Sequence, residues 1–136
     1  MSTSNITTNT DTDPTHGFNV VVQTEFLADQ SEPSRNRYVF AYRITITNTG
    51  HQAAQLLSRK WVITDGDGKI QEVSGEGIVG QQPFIEAGQK HQYTSGTVLE
   101  TKVGSMTGFY GMMGADGQEF NTPIPSFTLS SPNALH

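Results

Sequence analysis

The sequence predicts an all-β chain, an antiparallel β-sandwich of about seven strands. Three observations carry that prediction. Apolar and polar residues alternate strictly over several stretches, most clearly at Tyr38, Phe40, Tyr42, Ile44 and Ile46, with Arg43, Thr45 and Thr47 between them. Turn signals recur at short, even intervals. No window of the chain carries the 3.6-residue periodicity of an amphipathic helix.

The elements follow in order. Phe18, Val20, Val22, Thr24 and Phe26 fall on one side of an extended chain and form a first strand. Residues 28–36, polar and containing Pro33, make a loop before the strand 38–47. Asn48, Thr49 and Gly50 turn the chain into a third strand, about residues 53–64, which ends at Asp65-Gly66-Asp67-Gly68, a strong hairpin signal. A fourth strand starts at Lys69 and is interrupted by residues 75–80, with Pro83 marking a break and Glu86-Ala87-Gly88 a further turn. Residues 90–98, rich in Tyr and Thr, read as a strand. So do residues 106–113, where Gly108 and Gly111 suggest bulges or close backbone approach. Ala115-Asp116-Gly117 turns the chain into residues 120–129, where Pro123 and Pro125 imply an edge position or a kink between two short pieces. This pattern resembles an immunoglobulin or fibronectin type III sandwich without disulfides, with closure into a barrel as the alternative. Residues 1–16 are expected as a disordered tail, 17–130 as one domain and 131–136 as a loose end.

Composition narrows the function classes. A chain of 136 residues is long enough for one core without covalent help. With no cysteine it has no thiolate nucleophile and no sulfur-ligated metal site, and it fits a reducing, cytoplasmic compartment. Residues 1–14 carry neither the basic start nor the apolar run of a targeting peptide, and no segment approaches the ~20 apolar residues that would span a bilayer. The formal net charge is −5, and the eight Lys and Arg residues form no block, so neither nucleic acid nor membrane is an expected partner. The compact cationic groupings are Arg35 with Arg37 and Arg59 with Lys60.

Several longer strings are specific. Tyr38-Val39-Phe40-Ala41-Tyr42 with Ile44-Thr45-Ile46-Thr47-Asn48, then Leu56-Leu57-Ser58-Arg59-Lys60-Trp61-Val62-Ile63-Thr64-Asp65, resemble the ApaG family. The resemblance continues through Val73-Ser74-Gly75-Glu76-Gly77-Ile78-Val79-Gly80-Gln81-Gln82-Pro83, Tyr93-Thr94-Ser95-Gly96, Gly104-Ser105-Met106-Thr107-Gly108-Phe109-Tyr110 and Ile124-Pro125-Ser126-Phe127. It implies a fibronectin type III-like sandwich and a link to cobalt tolerance and magnesium efflux in bacteria. Related domains in larger eukaryotic proteins imply protein interaction. One departure stands out: Lys60 occupies a position, between Arg59 and Trp61, where the family commonly has His, so a metal or acid–base role there is not carried over.

Candidate sites can be weighed against plainer readings. Gly75-Glu76-Gly77-Ile78-Val79-Gly80 matches G-x-G-x-x-G, but Gln81, Gln82 and Pro83 follow where a dinucleotide site needs a helix. A bulged turn needing positive φ is the plain reading. The functional one is an anion nest in which Gly75, Gly77 and Gly80 offer N–H groups and Arg59 or Lys60 supplies charge. Strict alternation puts Arg59 on the face of Leu57, Trp61 and Ile63, so a charge there needs a reason. It is either a local bulge or a stem lying over Trp61, or else a carboxylate or phosphate clamp or a hot spot for a partner. Trp61 itself reads as core.

Asp65, Asp67 and Glu76 faintly resemble a calcium loop, which Lys69 and Ile70 break. His16, His51, His91 and His136 lack metal-ligand spacing, and no nucleophile motif is present, so no catalytic residue, metal or cofactor is expected. Met106, Met112 and Met113 with Phe109 and Tyr110 read as packing. The leading expectation is a non-enzymatic binding or adaptor module that contacts an unknown protein through Arg59, Trp61, Gln82 and the loop 75–83. The alternative is a sensor of phosphate, pyrophosphate or a metal-phosphate species, and a hydrolase comes third. The expected state is a monomer, with pairing of two copies along an edge strand as the alternative.

Overall fold

Two antiparallel sheets, packed face to face, turn the alternation of the sequence into buried and wet faces. The computed structural model describes residues 4–10 and 16–132. Its strands are β1 (Ser4–Thr10), β2 (Phe18–Phe26), β3 (Tyr38–Asn48), β4 (Ala54–Asp65), β5 (Ile70–Glu76), β6 (Phe84–Ile85), β7 (Lys90–Leu99), β8 (Val103–Gly114) and β9 (Glu119–Ser130). One sheet has the order β1-β2-β3-β7, and the other the order β5-β4-β8-β9, with β6 also on β4. The all-β sandwich is as expected. Among the described residues no helix is long and apolar enough to cross a membrane.

The inward face of β3 is the predicted one: Tyr38, Phe40, Tyr42, Ile44 and Ile46 are all buried. They meet Leu56, Trp61 and Ile63 of β4, Met106 and Tyr110 of β8, and Phe127 and Leu129 of β9 in one core cluster. Asn48 ends β3 fully buried because its side chain is satisfied: Nδ2 donates to the carbonyls of Gln52 and Ile85, and Oδ1 accepts from Gly50 N–H. Asp65 closes the β4–β5 hairpin in the same manner, its Oδ1 accepting from the N–H groups of Asp67 and Lys69. Asp65 and Asp67 therefore belong to a hairpin turn, while Glu76 lies at the far end of β5, opposite Ser58.

Two expectations change, and one pair of alternatives is decided. Ser4–Thr10, expected in a disordered tail, pairs antiparallel with β2 along its length, and His16 is also ordered. Residues 1–3 and 11–15 lie outside the described residues. Residues 120–129, expected at an edge or as two short pieces, take the edge position: they lie in the single strand β9, with a register irregularity opposite Met106 and Gly108. At that point Gly108 is needed, because a Cβ there would sit 1.9 Å from the Lys60 carbonyl oxygen. Of the C-terminal residues, Ser131 is buried and its N–H donates to the Lys102 carbonyl, while 133–136 lie outside the described residues.

The two long sides of the sandwich differ. On one, β1 and β2 approach β9 closely, and Phe120 stacks on His16 at 4.4 Å and lies 6.1 Å from Phe18. On the other, the edge strands β5 and β7 flank a cleft of about 320 Å³ that reaches between the sheets.

Candidate functional site

Arg59 is brought into the cleft by a bulge. The register of β4 against β8 shifts between Leu56 and Ser58. Leu56 therefore points into the core, and the next inward residues are Arg59, Trp61 and Ile63. Their partners on β5 are Gly75, Val73 and Gln71. A Cβ on Gly75 would lie 2.8 Å from Arg59 Nη1 and 3.0 Å from Nη2, so the absence of a side chain is what gives the guanidinium its place. Nη1 then donates to the carbonyl oxygens of Glu76 at 3.1 Å and Gly77 at 2.9 Å.

The facing wall comes from β7 and β3. Tyr93, Ser95 and Thr97 alternate inward along β7 and are half-buried, an unusually polar inner face for a sandwich strand. Ser95 lies opposite Tyr42 in the β3–β7 register, which brings its hydroxyl to the same side of the sheet as the Tyr42 ring. Tyr93 and Tyr110 share a hydroxyl–hydroxyl hydrogen bond that ties β7 to β8 across the sandwich. Trp61 is 3% exposed and packs on Tyr42 at 5.4 Å and on Phe127 at 5.8 Å.

Electrostatically the cleft holds one permanent charge. Burial raises the hydroxyl pKa of Tyr42, Tyr93 and Tyr110 above the usual phenol value, with Arg59 pulling weakly the other way in each case. All three are therefore neutral phenols near pH 7. Arg59 forms no ion pair among the described residues, whereas Arg35 pairs with Glu32, Lys60 with Glu72 and Lys69 with Glu100.

The residues singled out in the sequence are thus divided. Arg59 and Trp61 share the cleft, but Trp61 is too buried to serve as a partner surface. Lys60 points to the opposite face of its sheet, 3.1 Å from Glu72, and cannot neutralise a ligand beside Arg59. The anion nest also fails as drawn. Gly75 serves to make room for Arg59, and the Gly77 N–H donates to the Leu57 carbonyl at 2.7 Å. The Ile78 N–H donates to Gln81 O, and it is carbonyl groups of this loop that face the guanidinium.

Residues 78–81 form a tight turn closed in both directions between Ile78 and Gln81, with Val79 at φ 47 and Gly80 at φ 78. Both central residues have positive φ, as a type I′ turn requires. Gln82 is a fastener: its Nε2 donates to the Leu57 carbonyl, and its own carbonyl accepts from Gln55 Nε2. Sequence reasoning missed the hydroxyl wall, whose signal was the alternation Tyr93, Ser95, Thr97. No group of three His, Asp or Glu converges on a metal-sized site among the described residues.

Comparison with known proteins places this architecture. Residues 28–114 match the family model of the ApaG domain. A protein ApaG of Pseudomonas paraeruginosa is 57% identical over 124 residues, covering 91% of this chain and 98% of the relative. One from Pseudomonas fluorescens is 56% identical over the same length, with the same shares covered. A crystal structure from Bordetella pertussis superposes with a TM-score of 0.85 at 45% identity, covering 88% of this chain and 97% of that one. With sequence and superposed structure in agreement over nearly the whole length, the chain belongs to the ApaG domain family.

Proposed function

We propose that the chain is a binding module, acting without turnover of a substrate, whose contact surface for a protein partner is the loop 77–83 and the adjoining β6. The observation that carries this reading is a pair of exposed apolar side chains on a fastened loop. Val79 is 64% and Phe84 71% exposed. A glycine-rich loop would ordinarily be loose, yet this one is tied to β4 by Gly77 N–H to Leu57 O, Leu56 N–H to Pro83 O, Gln82 to Leu57 O and both Arg59 contacts. A β-branched residue with φ 47 is strained, and such strain persists where the surroundings hold it for a purpose. Rigid presentation lowers the entropy lost on association, which favours binding through a few apolar contacts.

In this reading Arg59 and Gln82 hold the surface in shape and Val79 and Phe84 make the contact. The partner is a cytoplasmic protein with an apolar pocket, and the link to cobalt tolerance and magnesium efflux runs through that partner. Site-specific photo-crosslinking of the full chain in cells tests the proposal. A benzophenone side chain at position 79 or 84 is expected to give a discrete adduct that a benzophenone at Thr94, exposed on the other sheet, does not give. The same bands from all three positions, or none from the loop, would refute it.

A further inference from the structure

We propose that the cleft between β5 and β7 is a receptor for a small monocarboxylate carried on a flat apolar group, an aromatic acid of the size of benzoate or phenylacetate. The site is separate from the loop surface above and needs no protein partner.

The first argument is an unanswered charge. A half-buried cation ordinarily gains a carboxylate, because its lost hydration must be replaced. This chain has 13 acidic residues, yet none pairs with Arg59 among the described residues. The guanidinium is nonetheless held in one pose by the gap at Gly75 and by the carbonyls of Glu76 and Gly77. Those carbonyls engage Nη1, and no described protein group accepts from Nη2 or Nε. An arginine fork fixed on one prong, with its other donors unengaged, suits the two oxygens of a carboxylate.

The second argument is the company it keeps. Tyr42 and Ser95 bring neutral hydroxyls to the same cleft, and Val73 supplies an apolar wall, with the buried Trp61 and Met106 forming its floor. Its volume of about 320 Å³ accommodates a ring with a short acidic arm, at the lower end of the ~300–1,000 Å³ spanned by small-molecule pockets. Charge selects the ligand class. One fixed cation, with Lys60 turned away to Glu72, matches a monoanion, whereas pyrophosphate would bring several negative charges into a protein of net charge −5.

Trp61 is the chain's one tryptophan and lines the cleft, so its fluorescence reads occupancy directly. The full chain is titrated with benzoate, phenylacetate, the neutral analogue phenylacetamide and inorganic pyrophosphate. The expected result is a saturable Trp61 response to the acids and none to the amide, with affinity reduced about ten-fold or more in Arg59→Lys, which keeps the charge and loses the fork. A several-fold reduction is expected in Tyr42→Phe, which keeps the ring and removes one donor. Backbone amide shifts should cluster at Arg59, Trp61, Ser95 and Thr97. The proposal is overturned by no response to either acid, by an equal response to the amide, or by tighter binding of pyrophosphate than of the acids. Should Arg59→Lys fail to fold, the contrast between acid and amide and the Tyr42→Phe affinity decide the question in the same way.

Discussion

The two long sides of this sandwich are built from opposite materials. Where β1 and β2 meet β9, the seam is ring against ring, Phe18 and His16 on Phe120, and the sheets close. Where β5 faces β7, the seam is an arginine, a phenol, a serine and a threonine around a cavity, with the Tyr93–Tyr110 hydroxyl pair behind it, and the sheets stay apart. Apolar contacts pull surfaces together without direction, so they suit a seam whose only task is to hold. Hydroxyls and a guanidinium act at fixed distances and must each be satisfied, so they can keep a space open while specifying what enters it. The comparison separates the seam that holds the fold from the cleft proposed as a ligand site.

The comparison can be broken by measurement, starting where the largest effect is expected. Phe18→Ala should cost about 3–5 kcal/mol in denaturant unfolding, because a fully buried ring is lost from the closed seam. A cost near that of a surface substitution would mean that the closed side is not what holds the sheets. Tyr93→Phe, on the open side, should cost about 1–3 kcal/mol by leaving the buried Tyr110 hydroxyl without its partner.

Tyr93→Phe with Tyr110→Phe should recover much of that loss, since both polar groups then leave together. The same tyrosines set an alkaline limit. Their folded pKa values lie above the phenol value of the unfolded chain, so above about pH 10 the unfolded state sheds protons first and stability falls as pH rises. The double variant should flatten that slope in unfolding curves taken across the range. The smallest effect is a gain. Val79→Asn should stabilise by about 0.5–1 kcal/mol, because Asn tolerates the left-handed region better than a β-branched residue does. It should at the same time weaken the photo-crosslink made from position 84.

Most of the fold was legible in the sequence because alternation is a direct image of a two-faced sheet, as at Tyr38 to Ile46. The inward placing of Arg59 was legible too, though by a different route from the one alternation suggested. Strict alternation grouped Arg59 with Leu57, whereas the bulge sends Leu56 inward and resets the phase. β1 was not legible, since Ser, Thr and Asn carry no apolar face and the strand is formed by backbone pairing with β2. The glycine-rich loop was misread for a related reason. Spacing shows where a backbone has unusual freedom, but not which carbonyl its N–H groups will find.

That first strand has a consequence for how many chains associate. β1 covers the outer hydrogen-bonding edge of β2, from Asn19 opposite Thr10 to Glu25 opposite Ser4. Ile6, its one apolar residue, is 68% exposed, so backbone bonds rather than burial keep the strand in register. If the first ten residues are trimmed away, the N–H and C=O groups of β2 along that edge become a template for a neighbouring molecule, and two shortened chains can join their sheets edge to edge. Self-association would then be set at this one edge, without any change in the core.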